Sequence, residues 1–263
     1  MLLAIDVGNT QTVLGLLDGP TEDIRVVEHW RVATDERRTA DEMMVLLRGL
    51  LSQHHEDGDE VVTGISLCST VPAVLHEMRD MVARYYGSVP SVVVEPGVRT
   101  GVPVLMDNPR EVGTDRIVNA LAAVHLFGGP CIVVDFGTAT TFDVVSRKGE
   151  YVGGAIAPGI GVSLDALGEA GAQLRKVEFV RPRTVIAKNT VEALQSGALY
   201  GFTGQVDGIV ERMAAELELG LDEITVVATG GLAGLVVDES RTVDRWEPWL
   251  TLIGLRLVHD RNA

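Results

Sequence analysis

The chain has 263 residues, 46% of them hydrophobic, and a formal net charge of −15 at pH 7. That content excludes a disordered polymer and allows one large domain or two smaller ones. The acidity argues against nucleic acid, whose phosphates need a positive face.

In chain order, the start MLLAID meets Asp6 too early for a signal peptide, so a soluble, cytoplasmic protein is expected. Residues 3 to 17, LAIDVGNTQTVLGLL, read as two apolar strands joined by a D-x-G-N turn, with Asp6 at the end of the first. A third strand is predicted near 24 to 33. A helix over 40 to 53 follows, with Met43, Met44, Leu47, Leu50 and Leu51 at helical spacing and Asp41 and Glu42 in its first turn. SQHHEDGDE, with His54 and His55, reads as a solvated loop. Next come a strand (61 to 68), a helix (71 to 86) and a short strand (91 to 94). The irregular, proline-containing stretch 95 to 109 then places a boundary near Pro109 to Gly113, giving domains 1–112 and 113–263.

Residues 111 to 121, EVGTDRIVNAL, open a helix with Thr114 as N-cap and Asp115 and Arg116 in the first turn; Ile117, Val118, Leu121 and Val124 supply its apolar face. Then VVDFGTATTFDVV repeats the opening. Asp6 aligns with Asp135, Gly8 with Gly137, Asn9 with Thr138, Gln11 with Thr140 and Thr12 with Thr141; the glycine turns Asp18-Gly19 and Lys148-Gly149 close both copies. A third strand (151 to 156), helices (160 to 170 and 190 to 218), a strand (224 to 228), Gly230-Gly231, a short helix and a final helix (249 to 259) follow. The order βββαβα thus recurs, predicting two similar α/β domains that face each other across a central cleft.

The longest run of apolar and small residues, VVATGGLAGLVV, is too short for a membrane span and is broken by glycine. Cys68 and Cys131 lie in apolar strand-like runs and read as buried, reduced thiols; no Cys/His spacing suggests zinc. None of the three lysines, Lys148, Lys176 and Lys188, lies in a phosphate-loop frame.

Glycine turns gather backbone N–H groups into anion-binding nests, and Asn9, Thr10, Thr138, Thr140 and Thr141 add donors. A carboxylate beside phosphate calls for a cation, and Mg²⁺ often uses one or two carboxylates plus phosphate oxygens. Asp6 and Asp135 therefore read as cation-side residues, direct or through water, and two aligned copies favour nucleotide phosphates. In ITVVATGGLAGL, Gly230 and Gly231 allow close backbone approach to the adenosine or its α-phosphate, with a helix N-terminus behind them. Asp115 reads either as a base for an alcohol proton or as a dipole-satisfying carboxylate. Arg116 reads either as a fork for an acidic substrate or as a surface charge.

IDVGNT (5–10), EVGTDRIVNA (111–120), VVDFGTATTFD (133–143), GGAIAPG (153–159), NTVEALQSG (189–197) and ATGGLA (228–233) together resemble the motif series of type III pantothenate kinases, in order and spacing along nearly the whole chain. The resemblance implies the ribonuclease H-like fold of the acetate and sugar kinase/Hsp70/actin superfamily. It implies ATP-dependent phosphorylation of pantothenate to 4′-phosphopantothenate, the first step of coenzyme A biosynthesis. It also implies Mg²⁺, a monovalent cation (K⁺ or NH₄⁺), and a homodimer with pantothenate near the subunit interface. Carried over by residue, Asp115 is the general base. Gly113, Arg116 and Thr190 contact pantothenate, Thr190 across the dimer. Asp6, Gly8, Asn9 and Thr10 serve the ATP phosphates and Mg²⁺, Asp135 the monovalent cation, and Thr138 and Thr140 the nucleotide. Met106 stands ahead of Asp107, Asn108 and Pro109, where such enzymes often carry an aromatic residue, and methionine can fill that pocket wall adaptably. Another phosphotransferase on the same scaffold, or a ligand-binding regulator, are the competing readings. Arg116 favours an acidic substrate over a sugar, and the presence of both Asp6 and Asp115 favours chemistry.

Overall fold

The structure, a computed structural model, describes residues 1–53, 58–170 and 177–263; His54, His55 and Lys176 lie outside the described residues. The chain divides into two compact units, Met1–Val102 with Asp107–Ala122 and Trp249–Ala263, and Pro103–Met106 with Ala123–Pro248.

The first sheet begins with β1 (Leu2–Val7), β2 (Gln11–Asp18) and β3 (Arg25–Ala33), an antiparallel meander. Helix α1 (Ala40–Leu51) follows, closed at its start by a reciprocal Thr39–Glu42 capping box. Strand β4 (Gly64–Ser69), helix α2 (Pro72–Tyr85, with proline in its first turn) and strand β5 (Ser91–Val93) complete the sheet in the order β3-β2-β1-β4-β5. The predicted strand at 61 begins three residues later, because Gly58–Val61 forms a 3-10 turn. Side chains alternate along β1. Leu3, Ile5 and Val7 pack with Met43, Met44, Leu47, Met78 and Met81 of α1 and α2 in one buried core. Leu2, Ala4 and Asp6 therefore take the opposite face.

Helix α3 (Thr114–Phe127) begins in the first unit and ends in the second. The second sheet contains β6 (Cys131–Phe136), β7 (Ala139–Val145), β8 (Tyr151–Pro158), then α4 (Ile160–Ala170), α5 (Thr190–Glu216), β9 (Thr225–Thr229), α6 (Ala233–Val237) and β10 (Arg245–Trp246). Its order, β10-β9-β6-β7-β8, with antiparallel β6-β7-β8 and parallel β6-β9-β10, repeats the first sheet pair for pair. The last helix, α7 (Leu250–Asn262), returns to the first unit and packs on β1, β2 and β4. Leu252 fills the gap left by Gly15, where an added Cβ would stand 2.6 Å from Leu252 Cδ1.

Two sequence expectations change. The two-residue strand β10 was not expected: it carries no apolar alternation, and only its pairing with Val227 and Ala228 defines it. The alignment of the hairpins also shifts. Val7 pairs with Thr12 and Phe136 with Thr140, so Thr12 corresponds to Thr140 rather than Thr141, and Gln11 to Ala139. The first turn has three residues (Gly8, Asn9, Thr10) and the second only two (Gly137, Thr138).

The segment that delivers β10 hangs on one buried carboxylate. Asp207 of α5 accepts hydrogen bonds from Ser240 Oγ (2.7 Å), Arg241 N (3.1 Å), Thr242 N (3.2 Å) and Thr242 Oγ1 (2.9 Å). Burial pushes its pKa up, but the bonds from Ser240, Thr242 and Arg241 outweigh that and hold it below the usual carboxylate range. A depressed carboxylate stabilises the fold above its unfolded pKa, and that contribution is lost as pH falls through the folded value. Asp207→Ala is expected to lower stability by about 3 kcal/mol at pH 7. The deficit relative to wild type should shrink below about pH 4, as read by urea unfolding at both pH values. A deficit that does not change with pH would assign the loss to packing instead.

Candidate active site

In the first unit the apolar run LLAIDV forms a central strand, and its register pairs Asp6 with Val13 on one side and Cys68 on the other. The turn after it is tied down by residues remote in sequence. Thr34 Oγ1 donates to Gly8 O at 2.7 Å, Thr34 N to Thr10 O at 3.0 Å, and Thr70 N to Val7 O at 3.0 Å. Thr34 and Thr70 were not singled out from sequence, and nothing local marks them.

The Cys68 thiol donates to Asp6 Oδ1 at 3.4 Å. Desolvation pushes the Asp6 carboxyl up to about 7; the charge of Asp115 adds to the rise, and the Cys68 hydrogen bond opposes it. Burial, then the charges of Asp6 and Asp115, push the Cys68 thiol far up, and burial pushes Cys131 up to about 12. Both cysteines are free and buried, as expected, and remain protonated.

Asp115 lies in the first turn of α3. Ile117 N donates to Gly113 O at 3.3 Å, so the N-cap position falls on Gly113 and not on Thr114. The Thr114 hydroxyl is instead a buried oxygen with no hydrogen-bond partner. Gly113 leaves room for the carboxylate: a Cβ there would stand 2.4 Å from Asp115 Oδ1. A buried carboxylate whose ionisation is made costlier by the charge of a second, with a bare hydroxyl beside that second one, suits a cation and a polar substrate.

In the second unit Asp135 pairs with Thr141 on β7 and Thr229 on β9. That register brings Gly230, at φ 92°, against the end of β6. A Cβ on Gly230 would meet Asp135 Oδ1 at 2.6 Å and Phe136 O at 2.7 Å, so a carboxylate and a carbonyl oxygen border the same point. Oxygen donors of that kind suit a hard cation. Gly159, just before α4, lies under the second hairpin turn, where its Cβ would be 2.2 Å from Thr138 O. The Thr140 hydroxyl is buried without a partner. Helix α6 has only five residues, too few for a developed dipole, so the Gly230-Gly231 turn contributes close approach more than field.

The predicted residues thus form two groups. Asp6, Gly8, Asn9, Thr10, Gly113, Asp115 and Arg116 belong to the first unit, and Met106, Asp135, Thr138, Thr140, Thr190, Gly230 and Gly231 to the second. Met106 packs by Gly153, its sulfur 3.7 Å from where a Cβ would stand. Thr190 is exposed and opens α5 behind the N-cap Asn189, whose side chain accepts from Glu192 N at 2.9 Å. Among the described residues no group of three or more His, Cys, Asp or Glu could hold a metal, and no helix is long and apolar enough to cross a membrane.

Residues 2–212 match the family model of type III pantothenate kinase. A type III pantothenate kinase from Streptomyces avermitilis is 66% identical over 265 residues, covering 100% of this chain and 98% of the relative. Another from Thermobifida fusca is 64% identical over 266 residues, covering 100% of both. A solved structure described as a conserved Baf family transcriptional activator from Campylobacter jejuni is similar at TM-score 0.59 and 14% identity, over 98% of this chain and 97% of that one. The ethanolamine utilization protein EutJ from Carboxydothermus hydrogenoformans is similar at TM-score 0.50 and 13% identity, over 97% and 89%. At such identities the two structures speak to the fold alone.

Proposed function

The chain belongs to the type III pantothenate kinase family, and from that premise we propose how its own residues carry the reaction. It is a pantothenate kinase with the duplicated α/β fold of the acetate and sugar kinase/Hsp70/actin superfamily. It phosphorylates pantothenate to 4′-phosphopantothenate, the first step of coenzyme A biosynthesis, and its family implies ATP as co-substrate.

Asp115 takes the proton of the pantothenate primary hydroxyl as that oxygen bonds to the γ-phosphorus. The bond from phosphorus to the bridging oxygen breaks, and ADP leaves with its electrons. The observation that carries this reading is the Asp115 carboxylate seated over Gly113 in the first turn of α3, close enough to Asp6 for each charge to bear on the other. Gly113, the Thr114 hydroxyl and the Arg116 guanidinium bind pantothenate, with Arg116 forking its carboxylate. Met106 walls the pocket and Thr190 completes it from the second subunit.

Asp6 holds Mg²⁺, directly or through water, and Gly8, Asn9 and Thr10 receive the phosphates. Asp135 holds K⁺ or NH₄⁺, Thr138 faces the nucleotide, and Gly230 and Gly231 its adenosine end; Thr140 turns inward on β7 and is fully buried. The cations, when bound, neutralise charge on the transferring group. The two compact units act as the two ATPase-like halves, so Asp107–Ala122 and Trp249–Ala263 go with the first half rather than dividing at 112/113. The protein acts in the cytoplasm as a homodimer, and association is supported by apolar side chains left in solvent on the second unit, among them Ile186 (85% exposed), Ile156 (66%), Val185 (62%), Val162 and Leu167.

A coupled ADP-release assay in the presence of Mg²⁺ and K⁺ tests the reading. Pantothenate-dependent turnover that falls when Na⁺ replaces K⁺ is expected. Turnover no higher than a pantothenate-free blank would overturn it.

A further inference from the structure

Helix α7 lies beyond residues 2–212, the span matched by the family model, yet it belongs to the unit that holds Asp6 and Asp115. It sits on the Asp6 face of the first sheet. Leu252 fills the space above Gly15, which pairs with Ala4, and His259 lies beside Gly64, which pairs with Leu2. The same helix grips α3 through one turn. Gly254 packs so closely that a Cβ would stand 2.3 Å from Val118 O and 2.6 Å from Val118 Cγ1. Three residues earlier, Thr251 Oγ1 donates to Asn119 Oδ1 at 2.8 Å, and Asn119 is fully buried. Asn119 is four residues after Asp115, so the two share a face one helical turn apart. Helix α7 is therefore a spacer between the sheet that carries one carboxylate and the helix that carries the other.

We propose that Thr251 is a positioning residue for phosphoryl transfer: by holding Asn119 it fixes where α3 stands along α7, and so where the Asp115 carboxylate stands relative to Asp6. The inference rests on the reading of Asp115 as the base. Gly254 allows the approach but leaves sliding open; the directional hydroxyl bond selects one setting. Small displacements of a reacting group lower rate far more than binding.

Three variants test it. Thr251→Val keeps shape and removes the donor, Thr251→Ser keeps the donor, and Thr21→Val removes a hydroxyl that bonds α7 at its other end, on Asp260 (3.0 Å). In Thr251→Val, kcat should fall on the order of tenfold, with KM for ATP and pantothenate and ATP binding by calorimetry near wild type. Thr251→Ser should restore kcat, and Thr21→Val should leave it unchanged. A normal kcat in Thr251→Val overturns the proposal. So does a fall matched by loss of folded protein in thermal melts and not rescued by serine. If Asp115→Asn is inactive while Thr251→Val is normal, only this inference fails; if Asp115→Asn turns over normally, the assignment of the base fails first.

Discussion

Asp115→Asn is expected to lower kcat by about two to four orders of magnitude, the range a general base contributes, while ATP binding persists. Asparagine keeps the shape and can still accept a hydrogen bond, but it cannot take the alcohol proton at neutral pH. The electrostatics of the pair sharpen the expectation. The Asp6 carboxyl is pushed up to about 7 first by burial and then by the Asp115 charge. Removing that charge removes the second cause, so Asp6 ionises more readily and its hold on a magnesium nucleotide is not weakened. Lost turnover with intact binding, measured by ADP release and by calorimetry, would then belong to the proton transfer. Near-normal turnover would strip Asp115 of its role. Lost ATP binding would move it to the metal side instead.

The strands that carry the aspartates were legible because LLAIDV and CIVVDF are apolar runs ending in a carboxylate and a glycine turn, and both form central strands. The repeat was legible too, since the two sheets share one pairing order. Its register was misread by one residue in the returning strand. The corrective signal was present as a period of two: Thr12, Leu14 and Leu16 face inward in one copy, as do Thr140, Phe142 and Val144 in the other. A constant offset carried from Asp6 and Asp135 misses it, because the first turn is one residue longer than the second. In the structure, Thr141 shares a face with Asp143, to which it donates at 3.2 Å. Other features had no local signal. Thr34 and Thr70 reach the first turn from just beyond β3 and just beyond β4, and α7 returns to the first sheet after the whole second unit has intervened. Such contacts are set by tertiary packing, which a sequence window does not contain.

The largest stability effect at the site is expected from Gly230→Ala. Two independent terms act together. Gly230 sits at φ 92°, where a side chain costs about 1–2 kcal/mol. Its new Cβ would also lie 2.7 Å from both Phe136 N and Phe136 O and 2.6 Å from Asp135 Oδ1. The Phe136 atoms are backbone of a central strand bonded on both sides, so they cannot yield as a flexible side chain would. The turn or the end of β6 must move, and Asp135 moves with it. A loss of about 3 kcal/mol or more is expected, with turnover and its K⁺ stimulation falling together. Gly49→Ala is the matched control. Gly49 lies in α1 with nothing within 4 Å of its added Cβ, so alanine there should stabilise by up to about 1 kcal/mol through helix propensity. One substitution type with opposite signs at two positions isolates the surroundings as the cause. If Gly230→Ala melted and turned over like wild type, the close approach of the Gly-Gly turn to Asp135 could not be what holds that corner together.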